Sequence, residues 1–145
     1  MADKAKEYKV TRKVRMANRF VTSLVKRGKT DSWLLTTTGH KSGERRTVPV
    51  TPVEVGGQRY LVAPYGDQAW VKNLRANPKA TLARGSVSIR ITAEEVDPSR
   101  TGQILSMYYA ANEKYVGDYM YVPGDKTITD FSSVADRYPV FRASS

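Results

Sequence analysis

The stretch Thr36-Thr-Thr-Gly-His-Lys-Ser-Gly-Glu-Arg-Arg-Thr-Val-Pro-Val-Thr-Pro-Val-Glu-Val55, followed by Gly56-Gly-Gln-Arg-Tyr-Leu-Val-Ala-Pro-Tyr65, decides the fold. Trp33 to Thr38 is apolar and β-branched and predicts a strand. Gly39 to Glu44 holds two glycines and predicts a turn. Arg45 to Val55 predicts a second strand, with apolar residues at Val48, Val50, Val53 and Val55. Pro49 and Pro52 lack an N–H, so that strand belongs at an edge, at a bulge, or against a ligand. Gly56-Gly57 is a hairpin signal, and Arg59 to Pro64 predicts the return strand.

Outward from this hairpin, Gln68 to Ala76 predicts a short helix with Trp70, Val71 and Leu74 on one face, ended by Asn77-Pro78. Lys79–Arg84 and Ser86–Glu95 predict two more strands about Gly85. Asp97-Pro98 predicts a helix start, with the helix running to about Asn112. Tyr115 to Asp125 is aromatic and punctuated by glycine, and predicts a loop or lid. Phe131–Arg137 predicts a short helix and Pro139–Arg142 a closing strand. Five or six strands with peripheral helices predict an α+β fold or a small β-barrel.

The chain has 145 residues and a formal net charge of +10, with no cysteine and one histidine, His40. Disulfides and thiolate chemistry are excluded, and a zinc site or histidine triad is disfavoured. No metal site is expected. The charge is uneven. Residues 1–29 carry ten cations against two anions, and the remaining 116 residues carry 14 against 12. Val10, Val14, Ala17, Val21, Leu24 and Val25 recur at helical spacing, with Arg12, Arg15, Arg19 and Lys26 opposite and Gly28 as a C-cap. This predicts a basic amphipathic arm over 1–29, ahead of a single domain over 30–145. The arm reads as a surface helix packed on the core, as an interfacial helix using residues 9–27 on an anionic membrane, or as a nucleic-acid contact. The last is disfavoured, because no aromatics interleave with the cations.

Two clusters carry chemistry. Gly39-His40-Lys41-Ser42-Gly43-Glu44-Arg45-Arg46 offers backbone N–H groups, a hydroxyl and cations to phosphate or carboxylate. It is neither a Walker A loop nor a dinucleotide G-x-G-x-x-G. Read alone, it is more simply a solvated basic hairpin turn. In Ala69-Trp70-Val71-Lys72-Asn73-Leu74-Arg75-Ala76-Asn77-Pro78, the tryptophan reads most simply as core and the cations as a solvated face.

In succession, these clusters from Leu34 to Leu82 resemble the deazaflavin-dependent nitroreductase family, whose pattern is TTTG-[RH]-[KR]-[ST]-G-x-x-R-x-x-P-L and then A-W-x-x-N-L-x-A-N-P. Ala135 to Arg142 (ADRYPVFR) resembles one branch of it. The resemblance implies a split β-barrel of about six mainly antiparallel strands, binding coenzyme F420, with FMN or haem as alternatives. It implies His40, Lys41 and Ser42 at the cofactor phosphate. Arg46, Thr47, Val48, Pro49, Val50 and Thr51 would lie beneath the ring and ribityl chain. Ala63, Pro64, Tyr65 and Gly66 would flank the ring. Ala69, Trp70, Val71, Lys72 and Asn73 would close over it, with Lys72 and Arg75 near the anionic tail.

Two departures stand out. His40 occupies a position where arginine is commoner, and the Ala63–Asp67 segment is short and lacks a Ser-Lys pair. The implied reaction is hydride transfer from reduced deazaflavin to a conjugated lipophilic acceptor such as a quinone, enone or nitroaromatic. Without cysteine, the proton donor falls among the tyrosines: Tyr65, Tyr108, Tyr115 and Tyr119, with Tyr109 and Tyr121 nearby. A membrane-associated, lipid- or fatty-acid-binding member of the family is the alternative. The expected setting is cytoplasmic, peripheral on the inner membrane face, with a homodimer compatible with the resemblance.

Overall fold

The computed structural model describes residues 32–145. The expected basic arm over 1–29, its membrane-facing residues 9–27 and the start of the expected domain at residue 30 lie outside the described residues. Among the described residues, seven strands form one antiparallel sheet: β1 (Trp33–Thr38), β2 (Arg45–Val50), β3 (Val53–Val55), β4 (Gln58–Val62), β5 (Lys79–Arg84), β6 (Val87–Glu95) and β7 (Val140–Ser144). Their spatial order is β2-β1-β5-β6-β7-β4-β3.

That order forces the sheet to roll. β2 and β3 lie at opposite edges, yet only Thr51 and Pro52 separate Val50 from Val53. Three residue steps reach at most about 10 Å. A flat sheet of seven strands would hold its edges about 29 Å apart. The two edges therefore approach each other, and the fold is an α+β split barrel. The expected single strand Arg45–Val55 is in fact two edge strands. Pro49 and Pro52 stand where missing N–H groups leave no gap in a central ladder. The hairpin after β3 turns at Gly56-Gly57, both at positive φ (59° and 78°), a pair that only glycine adopts without strain.

Register separates the two faces, since directly opposed residues point the same way. Leu35 opposes Val48 and Leu82, and Leu61 opposes Phe141. These residues, with Ile91, Ala93 and Ala143, form one core cluster. Helix α1 (Ala69–Ala76) packs against β1 and adds Trp70, Val71 and Leu74 to that cluster, with the Trp70 and Phe141 rings 6.0 Å apart. At the opposite end, the Arg59 guanidinium of β4 lies 5.2 Å over the Trp33 ring of β1, a cation–π contact between strands not adjacent in the sheet.

A second cluster lies on the other face of β4 and β7. Val62 and Val140 pack there against helix α2 (Gly102–Val116) and helix α3 (Ile128–Ser133). Burial on both faces explains why Leu61-Val62 and Val140-Phe141 are apolar at consecutive positions.

Asp97 caps only a single 3-10 turn, Pro98–Arg100, accepting from the Ser99 N–H at 3.0 Å. The α-helix begins later, at Gly102, and runs to Val116, beyond the expected Asn112. Thr101, whose hydroxyl donates to the Pro98 carbonyl, turns the chain between them. Met120 and Val122 are buried in the second core cluster. From Gly117 onward the Tyr115–Asp125 segment is the expected loop, anchored by apolar packing at Met120 and Val122. The expected helix Phe131–Arg137 is divided into α3 and a 3-10 turn, Ala135–Arg137. Thr127 and Asp130 form a reciprocal capping box at the start of α3.

Candidate functional site

The turn between β1 and β2 is closed by its own backbone. The Gly39 N–H donates to the Glu44 carbonyl (2.7 Å) and the Gly43 N–H to the Gly39 carbonyl (2.9 Å). Gly43 lies at φ 74°, where a side chain would strain the turn. The Ser42 hydroxyl accepts from the Glu44 N–H at 3.1 Å. His40, Lys41, Ser42, Arg45 and Arg46 are all exposed. Arg46 forms a 3.0 Å pair with Glu44, both open to solvent. Along β2, Thr47 and Thr36 share a 2.8 Å hydroxyl contact, and Val48, Pro49, Val50 and Thr51 are half-buried.

Asn73 of α1 holds this turn in place. Its side-chain oxygen accepts from the His40 backbone N–H at 2.8 Å and contacts the His40 ring Nδ1 at 2.7 Å. Its amide nitrogen donates to the Thr37 hydroxyl at 3.0 Å. Asn73 and Thr37 are each 2% exposed. One buried amide thus ties the helix to a strand and to the basic turn. A buried amide left unpaired would be costly, so the three bonds form one unit.

The two α1 cations differ. Lys72 is exposed. Arg75 grips Glu95 of β6 with paired 2.8 Å bonds and reaches Asp67 at 3.3 Å. The bonds to Glu95, then Asp67, hold its guanidinium more firmly protonated than usual despite some desolvation. This cation, expected near an anionic tail, is already matched by two carboxylates.

Between β4 and α1 the chain turns tightly. The Gly66 N–H donates to the Ala63 carbonyl (3.3 Å), and the Gln68 side chain donates to the Tyr65 carbonyl (3.3 Å). The Tyr65 ring meets the Tyr119 ring edge-to-face at 5.3 Å. Tyr108 is buried in the second core cluster, and Tyr65 packs against that cluster. Burial, reinforced by Tyr65, pushes the Tyr108 phenol above its usual range. Tyr109 shifts the same way through burial and Glu113, and its ring packs on Phe131. Tyr115 is 66% exposed with Lys114 over its ring, apart from this group. Tyr121 lies under Arg137, and its N–H donates to the Tyr138 hydroxyl at 2.7 Å.

The structure thus brings His40 and Asn73 together, and separately Tyr65, Tyr108 and Tyr119. Val71 has no exposed surface, and Ala63, Pro64 and Trp70 are buried, so their side chains support the site from behind. Ala69 is exposed at the start of α1. Sequence reasoning missed Thr37, Glu95 and Asp67. Thr37 reads as one of three equivalent threonines. Only its parity with Leu35 on β1 marks it as inward-facing. Among the described residues, no group of three His, Asp or Glu side chains could hold a metal ion.

The model of a family described as F420H(2)-dependent quinone reductase matches residues 9–129. The fold is similar to a solved F420-H2-dependent reductase (FDR-A), 28% identical, with a TM-score of 0.55 over 79% of this chain and 94% of that one. It is also similar to a structure described as a domain-swapped dimer, 24% identical, TM-score 0.55, covering 90% and 96% of the two chains. A FAD-binding protein of Mesorhizobium loti shares the fold at 14% identity, TM-score 0.51 and 84% coverage of each chain.

Proposed function

The chain belongs to the F420H(2)-dependent quinone reductase family, and from that premise we propose that it reduces conjugated, lipophilic acceptors of quinone, enone or nitro type. It is an oxidoreductase, and coenzyme F420 is its cofactor. When bound in its reduced form, the cofactor supplies a hydride.

The residues present fit such a group. Its phosphodiester and carboxylates need cations and N–H donors, and the Gly39–Arg46 turn offers Lys41, Arg45 and Arg46 in solvent with one acidic neighbour, Glu44. Its ring needs a surface free of unpaired donors. Among the described residues β2 pairs on one side only, which leaves its outer N–H groups for a ligand's polar atoms, while Pro49 on it carries no N–H and can lie against an apolar ring. The single observation carrying this reading is the basic turn at the end of the open edge strand β2, pinned to α1 through Asn73.

In this reading, His40, Lys41 and Ser42 meet the phosphate, and Arg46 to Thr51 run beneath the ring. Tyr65 and Gly66 flank it. Lys72 stands by the tail, and Asn73 positions the turn. Tyr65 and Tyr119, ring against ring beside the loop before α1, are the proton donors best supported by position. Tyr108 is buried and backs Tyr65. Either phenol would give the acceptor its proton, which solvent then restores.

The test is titration of the apo-protein with F420 and, separately, FMN, followed by reduced F420 with menadione under absorbance. Saturable F420 binding and turnover are expected. Absence of binding in both redox states refutes the reading.

The chain's uneven charge supports peripheral docking of residues 9–27 on an anionic membrane. No described helix is long and apolar enough to cross one. Sedimentation with anionic vesicles should fall when Arg12, Arg15, Arg19 and Lys26 become glutamine. Equal sedimentation of the two proteins would refute docking. A homodimer is part of the same reading, and light scattering giving a monomer mass would refute it.

A further inference from the structure

The contact between Asn73 and His40 dictates which ring nitrogen carries the proton. A backbone N–H can only donate, so the Asn73 atom 2.8 Å from the His40 N–H must be the amide oxygen. The opposite end of the same amide donates to the Thr37 hydroxyl, consistent with that orientation. The His40 Nδ1 lies 2.7 Å from that oxygen, which has no hydrogen to give. Nδ1 must therefore hold the hydrogen. In the neutral ring, Nε2 is then a bare lone pair, and it has no partner among the described residues.

A lone pair repels an anion. Nε2 becomes a donor only when the ring takes up a second proton and turns cationic. The charged groups on the elements meeting here are Lys41, Glu44, Arg45 and Arg46 on the turn and β2, Lys72 and Arg75 on α1, and Lys79 and Arg84 at the start and end of β5. Glu44 is paired with Arg46, and Arg75 with Glu95 and Asp67. Lys41, Arg45, Lys72 and Lys79 are cations as well, so an arriving anion would meet them together with His40.

We propose that Asn73 is a positioning residue that presents His40 Nε2 to the anionic part of the cofactor, so that His40 engages it only as imidazolium and cofactor binding takes up a proton. This rests on the F420 reading above and adds to it a proton linkage that an arginine at the same position would lack. The linkage is a binding effect. Affinity is greatest at low pH, where the ring is already protonated, and falls as pH rises and the proton must be supplied on binding.

The experiment uses the full chain, in which His40 is the sole histidine, so one imidazole signal needs no assignment. Nitrogen NMR of the neutral ring should show the hydrogen on Nδ1. A ring carrying it on Nε2 overturns the proposal. The F420 dissociation constant, followed by fluorescence, should rise about tenfold from pH 5.5 to pH 8. Calorimetry in buffers of different ionisation enthalpy should show proton uptake on binding.

His40→Arg should bind with a dissociation constant that stays level across that range, and His40→Gln should lose the pH-dependent part. Asn73→Asp keeps an acceptor for both His40 donors and adds a negative charge beside the ring, so it should move the pH dependence to higher pH. A wild-type constant that does not vary with pH overturns the proton linkage and leaves the F420 reading standing. No F420 binding at any pH removes both.

Discussion

Replacing Asn73 with leucine keeps the side chain's size and deletes all three of its hydrogen bonds. Two of the lost partners, the His40 N–H and ring, sit on an exposed residue and recover water. The third, the Thr37 hydroxyl, is 2% exposed and cannot. Each ordinary bond is worth about 1 kcal/mol net, and a stranded buried polar group costs about 1–3 kcal/mol. Leucine returns some apolar transfer energy at the same place. The balance is a loss of roughly 2–3 kcal/mol, or a melting temperature lower by roughly 5–10 °C for a domain of this size. Urea melts of wild type, Asn73→Leu, Thr37→Val and the double variant measure it. Thr37→Val strands the Asn73 amide, so the double variant should be less damaged than the two singles summed, by about 1 kcal/mol or more. A loss below about 0.5 kcal/mol in Asn73→Leu, or additive variants, would refute the account of one buried amide pinning turn, strand and helix.

Arg75→Ala should cost no more than about 1 kcal/mol, because its carboxylate partners are well exposed. The loss should shrink in high salt and leave F420 affinity unchanged, and a tenfold weaker cofactor constant would place Arg75 at the anionic tail after all. Gly102→Ala should destabilise by about 1–3 kcal/mol. A Cβ there would lie 2.1 Å from the Ser132 hydroxyl and 2.9 Å from the Ile128 carbonyl, and a melt unchanged from wild type would contradict the close approach of α2 and α3. The buried Tyr108 phenol resists ionisation in the folded state, whereas the unfolded chain loses that proton near pH 10. Stability contributed by this difference is present below pH 10 and falls as pH rises beyond it, by at most about 1.4 kcal/mol per pH unit. Urea midpoints from pH 9 to 11.5 should therefore decline less steeply in Tyr108→Phe, and parallel curves would remove Tyr108 as the cause.

Much of the barrel was legible because its signals are local. Gly56-Gly57 turns a hairpin by positive φ, Pro49 and Pro52 keep their strand at an edge, and Asn77-Pro78 ends α1. Signals shared between neighbouring elements were misread. Asp97-Pro98 caps a 3-10 turn and leaves the α-helix to start at Gly102, since a cap satisfies any first turn, helical or not. The Tyr115–Asp125 segment is the expected loop from Gly117 onward, but its composition did not show what anchors it. It is held by Met120 and Val122, whose burial depends on α2 and α3 packing over the sheet.

At the site, residue types offered the basic turn as an anion cradle or a solvated hairpin, and it was the family resemblance that joined it to the A-W-x-x-N-L motif. Their spacing could not reveal the direct bond between them, because Asn73 and His40 lie 33 residues apart. Nor could it separate Lys72, left open to solvent, from Arg75, matched by Glu95 twenty residues away. Backbone conformation, charge and alternation are properties of short segments, and the sequence by itself determined those. Which buried amide meets which ring nitrogen, which cation is spent on a carboxylate, and which tyrosines gather around Tyr65 depend on rolling the sheet until β2 and β3 approach. Only the tertiary structure decided them, because hydrogen bonds and ion pairs act over a few ångströms of space, however far apart in the chain their partners lie.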